Sequence, residues 1–561
     1  MGAPQADITP LHGVNAVVHG SSSVAETCTR HLRLLGADVQ VAATADETVA
    51  AEVILRTAAS EAPLTCVVTW SADENDTRVR DEVSAQAVCG VMHLHGRRWG
   101  RPVAIHANYC GIVAATVAMQ GILAALLARA RGTQIREVRT SVVHATLVAI
   151  AHYVAVATAD DGGPFDLSPG GPPLRSADEV VFQPEFTTGG AWAAFWQELH
   201  AEPRAADLGW RVWSPFALTA TIPLPEELFS CAKQHPFTEI QRAAAVSGGT
   251  VQPLRSLADR ARELGLHTGA PVPAPWILTK SRGLRNACVQ PPALTAPPTQ
   301  APLSGVTLVE ATRRILGPLS GRALAMLGAD VVHIEPPGGD PFRDFPPLVD
   351  DCSAVVRCMT VGKRVVELDL KAQSDRPALH ALLDGADIFL QNWAPGKAGV
   401  LGLTPAELHA RNPRLLYAIA SGWHGEMGSN PPAGTDWIVQ AHTGVGEAVA
   451  PDSPSPTVSL MTVLDSLGGL LNAESILAGL VAREQAALGY VVESSLLSAA
   501  TVLTARELER VAAREPVNET AYDTSTPAIT SDLRHLADDP HLAGCLTWDG
   551  YLGITPPLRF H

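Results

Sequence analysis

LSGVTLVEATRRILGPLSGRALAMLGADVVHIEPPGGD (303–340) is the stretch whose reading decides the fold. A β-rich run (306–309), an apolar-periodic segment (316–327) and a second β-rich run (331–334) make a strand-helix-strand unit. The unit is written twice. LHGV (11–14) runs on to LLGADVQV (34–41) as LSGV (303–306) runs on to LGADVV (327–332), with 23 residues from the first Gly to the second in both copies. A second anchor repeats as well: ILAALLAR (122–129) matches ILAGLVAR (476–483), and 18 residues before each closing Arg stand Gly111 in the first copy and Asp465 in the second. On this reading the fold tolerates either residue, so the carboxylate of Asp465 calls for a reason other than folding.

Outward from 303–340 the alternation continues, with strands at 365–368, 388–391 and 415–420 and helices at 377–383, after Thr404 and at 465–486. Thr404 is a natural N-cap, followed by Pro405 at the first helical position and Glu407 three residues on. Thr435 or Asp436 reads as the cap of a helix that closes at Gly444. The βαβ rhythm gives the fold class: α/β, with open, mainly parallel Rossmann-like sheets in two degenerate tandem copies plus a smaller α+β domain. The expected boundaries are a degenerate first sheet domain at 1–175, a small domain at 176–290, a Pro-rich linker at 291–302, a second sheet domain at 303–515, and a C-terminal segment at 516–561 that returns to the sheet domain. The copies are unequal. Between the two anchors the first spans 85 residues and the second 147, a shortfall of about 62 in the first, whereas after the second anchor it is the first copy that is longer. CVVTW (66–70) is set beside ADIFLQNW (386–393) in this comparison, and each half keeps what the other has shed.

Composition narrows the partners. The 561 residues carry a formal charge of -16 without a Lys/Arg run, which excludes nucleic acid or an anionic membrane surface as the main partner. A polyanionic small ligand then needs a local basic pocket. The apolar segment 109–127 is rich in Ala and Gly and broken by Gln120, so it reads as a buried helix rather than a membrane span. MGAPQADITP (1–10) has no basic start followed by an apolar run, and nine Cys occur singly with no CxxC pair, which together point to free thiols in a reducing cytoplasm.

Polar residues collect at the carboxyl ends of the expected strands, where open sheets bind ligands. EPPGGDPFR (335–343) turns sharply after one strand; Lys363-Arg364 and LDLK (368–371) flank the next. Asn392-Trp393-Ala394 places an amide and an aromatic face at a strand terminus, suited either to a planar ligand or to an ordinary turn. His424 and His442 have no metal-ligand spacing to another His or Cys, and no metal site is expected. Asp465 opens a long helix, as an N-cap or as a nucleophile.

LSGVTLVEATRRILGP (303–318), LGADVVHIEPPGGDPFR (327–343), GKRVVELDLK (362–371), ADIFLQNWAPG (386–396), LTPAELHARNPRLLYAIASGW (403–423), GTDWIVQAHTG (434–444) and LDSLGG (464–469), taken in this order, resemble the family III CoA-transferases, the group that includes formyl-CoA and carnitine CoA-transferases. The resemblance implies an enzyme that transfers CoA from an acyl-CoA to a carboxylic acid through an aspartyl-acyl anhydride and an aspartyl-CoA thioester, with Asp465 as the nucleophile. The CoA thioester is then a substrate and no prosthetic group is implied. It also implies CoA contacts on the loop Arg314-Ile315-Leu316, at Leu368, Asp369, Leu370 and Lys371, at Asn392, Trp393 and Ala394, and at Thr435 and Asp436. Amides at the helix start would stabilise oxyanions, and Gly468-Gly469 would let substrate approach. The chain departs from the family at Val400, where many relatives have a basic residue and Lys397 stands one turn away, and at Ala394, where many have Arg.

Family members are interlocked homodimers, so a tandem chain is expected to form such a pair internally, alone or within a further homodimer, with the first half as a silent partner. VFQPE (181–185) through 244 resembles the family's smaller domain. Three other functions compete. An α-methylacyl-CoA racemase-like isomerase has Gly-His-Asp where this chain has Gly434-Thr435-Asp436, and Thr is no base at neutral pH. A lyase or hydratase acting on a CoA-linked intermediate is the second. A degenerate binding protein is the third, and Asp465 argues against it.

Overall fold

The computed structural model describes residues 8–43, 46–58, 60–159, 165–281, 301–428, 431–453, 455–486, 488–515 and 528–561; most of the Pro-rich linker (291–300) and the start of the C-terminal segment (516–527) lie outside them. The second half builds a seven-stranded sheet in the order Arg364–Glu367, Asp330–Glu335, Thr307–Ala311, Ile388–Gln391, Leu416–Ser421, Tyr490–Ser495, Ile277–Lys280. Every neighbouring pair is parallel except the last. The apolar runs of its middle strands follow from burial on both faces, and Ile388–Gln391 is buried throughout. Thr404 caps its helix as expected, accepting from the Glu407 amide while Glu407 returns the bond to the Thr404 amide.

In the first half a six-stranded sheet runs Asp38–Ala42, Asn15–His19, Val49–Thr57, Ser60–Thr69, Glu137–Ser141, Arg559–Phe560. Here the sequence comparison needs correcting. Beside Asn15–His19, where the second half has the parallel strand Ile388–Gln391, the first half has the antiparallel Val49–Thr57. CVVTW therefore lies in the next strand out, in the place of Leu416–Ser421. The shortfall between anchors has two sources: 43–48 stands where the second half has 336–387 with its edge strand Arg364–Glu367 and the helix Arg376–Asp384, and Val49–Thr57 joins Ser60–Thr69 through a tight hairpin where a parallel crossover needs a dozen or more residues.

The halves exchange edge strands. Ile277–Lys280, from before the linker, adds antiparallel to Tyr490–Ser495 of the second sheet. Arg559–Phe560, at the C-terminus, adds antiparallel to Glu137–Ser141, so the sheet to which the terminal segment returns is that of the first half. Both receiving strands directly follow a long helix, Tyr109–Ala130 in the first half and Val463–Ala486 in the second. These helices are apolar and long enough to cross a membrane, but 94% of each apolar window is buried inside the protein. They pack against each other, and Gln120 donates to the Leu470 carbonyl at 2.8 Å. One hydrophobic core runs through both halves.

A three-stranded antiparallel sheet, Leu174–Arg175, Val181–Glu185 and Thr250–Pro253, carries the helices Gly189–Glu198, Pro203–Trp213, Glu226–Ala232 and Phe237–Ser247. Its core is aromatic, built on Phe182, Trp192, Phe195, Trp196 and Trp213, and it continues into Trp437, Ala441 and Leu460 of the second half. This contact brings the end of the strand Val181–Glu185 to the helix Asp436–Thr443.

Candidate active site

Where that helix, the start of Val463–Ala486 and the carboxyl ends of the second sheet converge, they enclose a cavity of about 270 Å3. Asp465 lines it from the first turn of the long helix, and among the described residues no hydrogen bond reaches its carboxylate. Burial lifts that carboxyl from the ordinary 3.8 to about 6, with the Arg314 guanidinium pulling it back down. Its backbone is tightly held. Asp436, fully buried, accepts from the amides of Leu464 and Asp465 at 2.7 Å each and from Gln440 Nε2 at 2.6 Å. Burial first, and the nearby Asp465 second, push Asp436 well above the usual carboxylate range.

The sequence reading of 434–444 is thereby revised. The helix does close at Gly444, in the left-handed conformation expected of a C-terminal glycine. Thr435 does hold the N-cap position, but its side chain makes no capping bond: the hydroxyl donates to Glu185 Oε2 at 3.0 Å, and the Asp436 carboxylate serves the start of the other helix. Glu185 closes the strand of the first-half small domain and is 5% exposed. Burial raises its carboxyl to about 7; the Thr435 bond and Arg314 lower it and Asp465 raises it further. Sequence reading quoted Glu185 only as part of a small-domain match, because nothing local marks a residue whose bonding partner, Thr435, lies 250 positions away.

From the first half come further supports. Thr462, just ahead of the long helix, donates its amide to the Tyr153 hydroxyl at 2.9 Å, and its own hydroxyl sits 3.0 Å from His152 Nε2.

Of the expected CoA contacts, Arg314, Ile315, Leu316, Asn392 and Thr435 line the cavity; Leu368, Asp369, Leu370, Lys371, Trp393, Ala394 and Asp436 do not. The Asn392 side chain clamps the Arg313 backbone, accepting from its amide at 3.1 Å and donating to its carbonyl at 2.8 Å. One face of Trp393 is covered by the Lys397 ammonium, 5.5 Å from the ring centroid. Arg313 and Lys371 lie close enough to Lys397 to help lower its pKa, after burial, so these three cations form a basic cluster at the strand ends. Leu368 and Leu370 pack onto the core beneath it, and Asp369 turns back to accept from the Lys371 amide. EPPGGDPFR closes on itself through a bidentate Arg343 to Glu335 pair at 2.7 and 2.8 Å. Gly468 and Gly469 let two helices touch: a Cβ on Gly469 would lie 2.7 Å from the Leu316 carbonyl and 3.0 Å from Leu319.

In the first half the corresponding arrangement persists without its carboxylate. Glu82 accepts from the amides of Cys110 and Gly111 at 2.8 Å each and from Gln86 Nε2 at 2.8 Å. It stands 29 residues before Gly111, as Asp436 stands 29 before Asp465, with Gln four residues on in both cases. That spacing was a third repeated anchor open to sequence reading. The expectation that the fold tolerates either residue here meets a packing constraint: a Cβ at position 111 would force Ser23 Oγ to turn away and would lie 3.3 Å from Glu82 Oε2.

The model of CoA-transferase family III matches residues 72–265 and 303–550. A probable fatty acyl-CoA transferase of Mycobacterium tuberculosis is 33% identical over 233 residues, covering 39% of this chain and 58% of that protein. An acetyl-CoA:oxalate CoA-transferase of Acetobacter aceti is 35% identical over 201 residues, 35% of this chain and 51% of that one. A human succinyl-CoA:glutarate CoA-transferase is 28% identical over 200 residues, 35% of this chain and 45% of that one. The chain thus spans about half the length of the curated relatives it matches.

Proposed function

The chain belongs to CoA-transferase family III, and from that premise we propose that it transfers CoA from an acyl-CoA to a carboxylic acid by covalent catalysis at Asp465. The observation that carries the reading is a carboxylate on a cavity wall, free of hydrogen bonds among the described residues, whose backbone is locked by Asp436. A carboxylate kept for packing or capping would be hydrogen-bonded; one that must attack is left open.

The steps follow from the chemistry of the groups. An Asp465 oxygen attacks the thioester carbonyl, the C–S bond breaks, and CoA thiolate leaves an acyl-aspartyl anhydride. The thiolate attacks Asp465 Cγ and expels the donor acid, giving an aspartyl-CoA thioester. An acceptor carboxylate attacks Cγ in turn, releasing thiolate and forming a new anhydride; the thiolate takes the new acyl group and Asp465 is restored. Each step exchanges an activated acyl bond for another of similar reactivity. CoA is a substrate here, and its phosphates have the basic cluster of Arg313, Lys371 and Lys397 as the nearest electrostatic match. The two halves act as an intramolecular pseudodimer with one working site: the first supplies Thr187, Ala217 and Leu218 to the cavity lining, Glu185 as the partner of Thr435, and Tyr153 and His152 behind the helix.

Incubation with an acyl-CoA, trapping with hydroxylamine and mass spectrometry should find the modification on Asp465 and none in Asp465→Ala. An unmodified wild type, together with an unaffected Asp465→Ala, would sink the reading. One observation keeps the isomerase alternative alive: Glu185, not Thr435, could supply the acid-base group opposite Asp465, since its carboxyl lies near 7. Deuterium exchange at the acyl α-carbon with the thioester intact would favour it.

A further inference from the structure

Two arginines stand among the described residues that line the cavity, and one is matched: Arg313 pairs with Asp340 at 3.4 Å. The other is Arg314. Among the described residues its guanidinium has no hydrogen bond and no ion pair at contact distance; it stands at the mouth, 5.5 Å above the Phe342 ring. Its backbone takes φ +68°, a left-handed conformation rare for a residue with a Cβ and retained where a side chain must be aimed. The two carboxyls that feel its charge are Asp465 and Glu185.

The reaction changes what Arg314 faces. While Asp465 is ionised, the two charges offset each other across the cavity. Once Asp465 has become a CoA thioester it is neutral, and Arg314 loses one of the two carboxylates whose charge offsets its own. The acceptor arrives as a carboxylate. The cavity lining includes the apolar side chains Leu316, Val355, Val356 and Met359 beside Ser353 and Thr360, and among the described residues it offers no second unmatched arginine or lysine.

We propose that Arg314 is a substrate-binding residue that receives the reacting carboxylate of the acceptor, and that this acceptor is a monocarboxylic acid with a short apolar body. The inference rests on the transferase reading. It specifies which side of the reaction Arg314 serves and leaves CoA to the basic cluster.

Exchange of carbon-13-labelled acid into its own CoA thioester tests it on the full chain, with butyrate and butyryl-CoA as one probe pair and succinate and succinyl-CoA as the other. Arg314→Gln should raise the KM for butyrate by roughly tenfold or more, the scale of one lost charge-assisted hydrogen bond. The KM for butyryl-CoA should rise far less, Arg314→Lys should recover part of the loss, and wild type should use butyrate better than succinate. A rise confined to the butyryl-CoA KM would assign Arg314 to CoA and overturn the proposal, as would an unchanged butyrate KM or a preference for succinate. The Asp465 adduct separates the two readings: an adduct without the acceptor effect removes only the role of Arg314. No adduct with acetyl-, butyryl- or succinyl-CoA removes the transferase reading and this proposal with it.

Discussion

Asp465→Asn should make the protein more stable while abolishing covalent chemistry. Burial raises the Asp465 carboxyl from 3.8 to about 6, so the native state binds its proton more tightly than the unfolded chain does. For a raised carboxyl the sign is unfavourable as pH rises. The cost is absent below 3.8, grows between 3.8 and 6 where only the unfolded chain is ionised, and is complete above 6. At about 1.36 kcal/mol per unit, the full cost at pH 8 is about 3 kcal/mol, and about half of it is present at pH 5. Asn has the same shape, and no hydrogen bond to the carboxylate is lost among the described residues. Neutralising Asp465 also relieves Asp436, in the same direction. With about 2 cal/mol/K of unfolding entropy per residue over 561 residues, ~3 kcal/mol corresponds to a rise of about 2 to 3 °C in Tm if the chain unfolds as one unit. Scanning calorimetry of wild type and variant at pH 5 and pH 8 measures it. A variant less stable than wild type, or a difference that does not grow with pH, would refute the account of Asp465 as a strained buried carboxylate.

Three further outcomes are expected. Glu185→Gln should remove an inflection near pH 7 from the pH profile of adduct formation and leave the rise near pH 6 that belongs to Asp465; an unchanged profile would place Glu185 outside the site. Lys363→Met should destabilise the fold by about 3 to 5 kcal/mol, read from denaturant unfolding, because Glu310 then loses an ammonium held at 2.7 Å with both side chains fully buried. Residues 303–561 produced alone should be insoluble or inactive, since they lack the edge strand Ile277–Lys280, the Tyr153 contact and Glu185; a soluble fragment that forms the Asp465 adduct would refute the pseudodimer.

Most of the second sheet was legible from periodicity: each of its expected strands and the long helix lies within two residues of the observed bounds, because parallel strands buried on both faces need unbroken apolar runs between turn residues. The first sheet was misread at CVVTW (66–70), because the comparison passed over Val49–Thr57, the antiparallel strand that takes the place beside Asn15–His19; which strand sits there is decided by the connections and not by the apolar pattern of CVVTW. In the site, the asymmetry of Gly111 and Asp465 was visible as letters, but its reason at Gly111 was not, because the Ser23 side chain that fills the space lies 88 residues away.

What the sequence by itself determined is the repeat, the α/β class, the family resemblance and the candidate nucleophile. All of these are carried by short-range patterns: spacing within a helix, alternation within a strand, motif order along the chain. Only the tertiary structure decided that Asp436 locks a helix other than its own, that Arg314 lines the cavity with no ion pair among the described residues, and that Glu185 crosses from the first half to meet Thr435. Those relations depend on which surfaces pack together. Packing is settled by apolar burial across the whole chain, including the exchange of Ile277–Lys280 and Arg559–Phe560 between the halves, and so leaves no local mark on the residues it brings into contact.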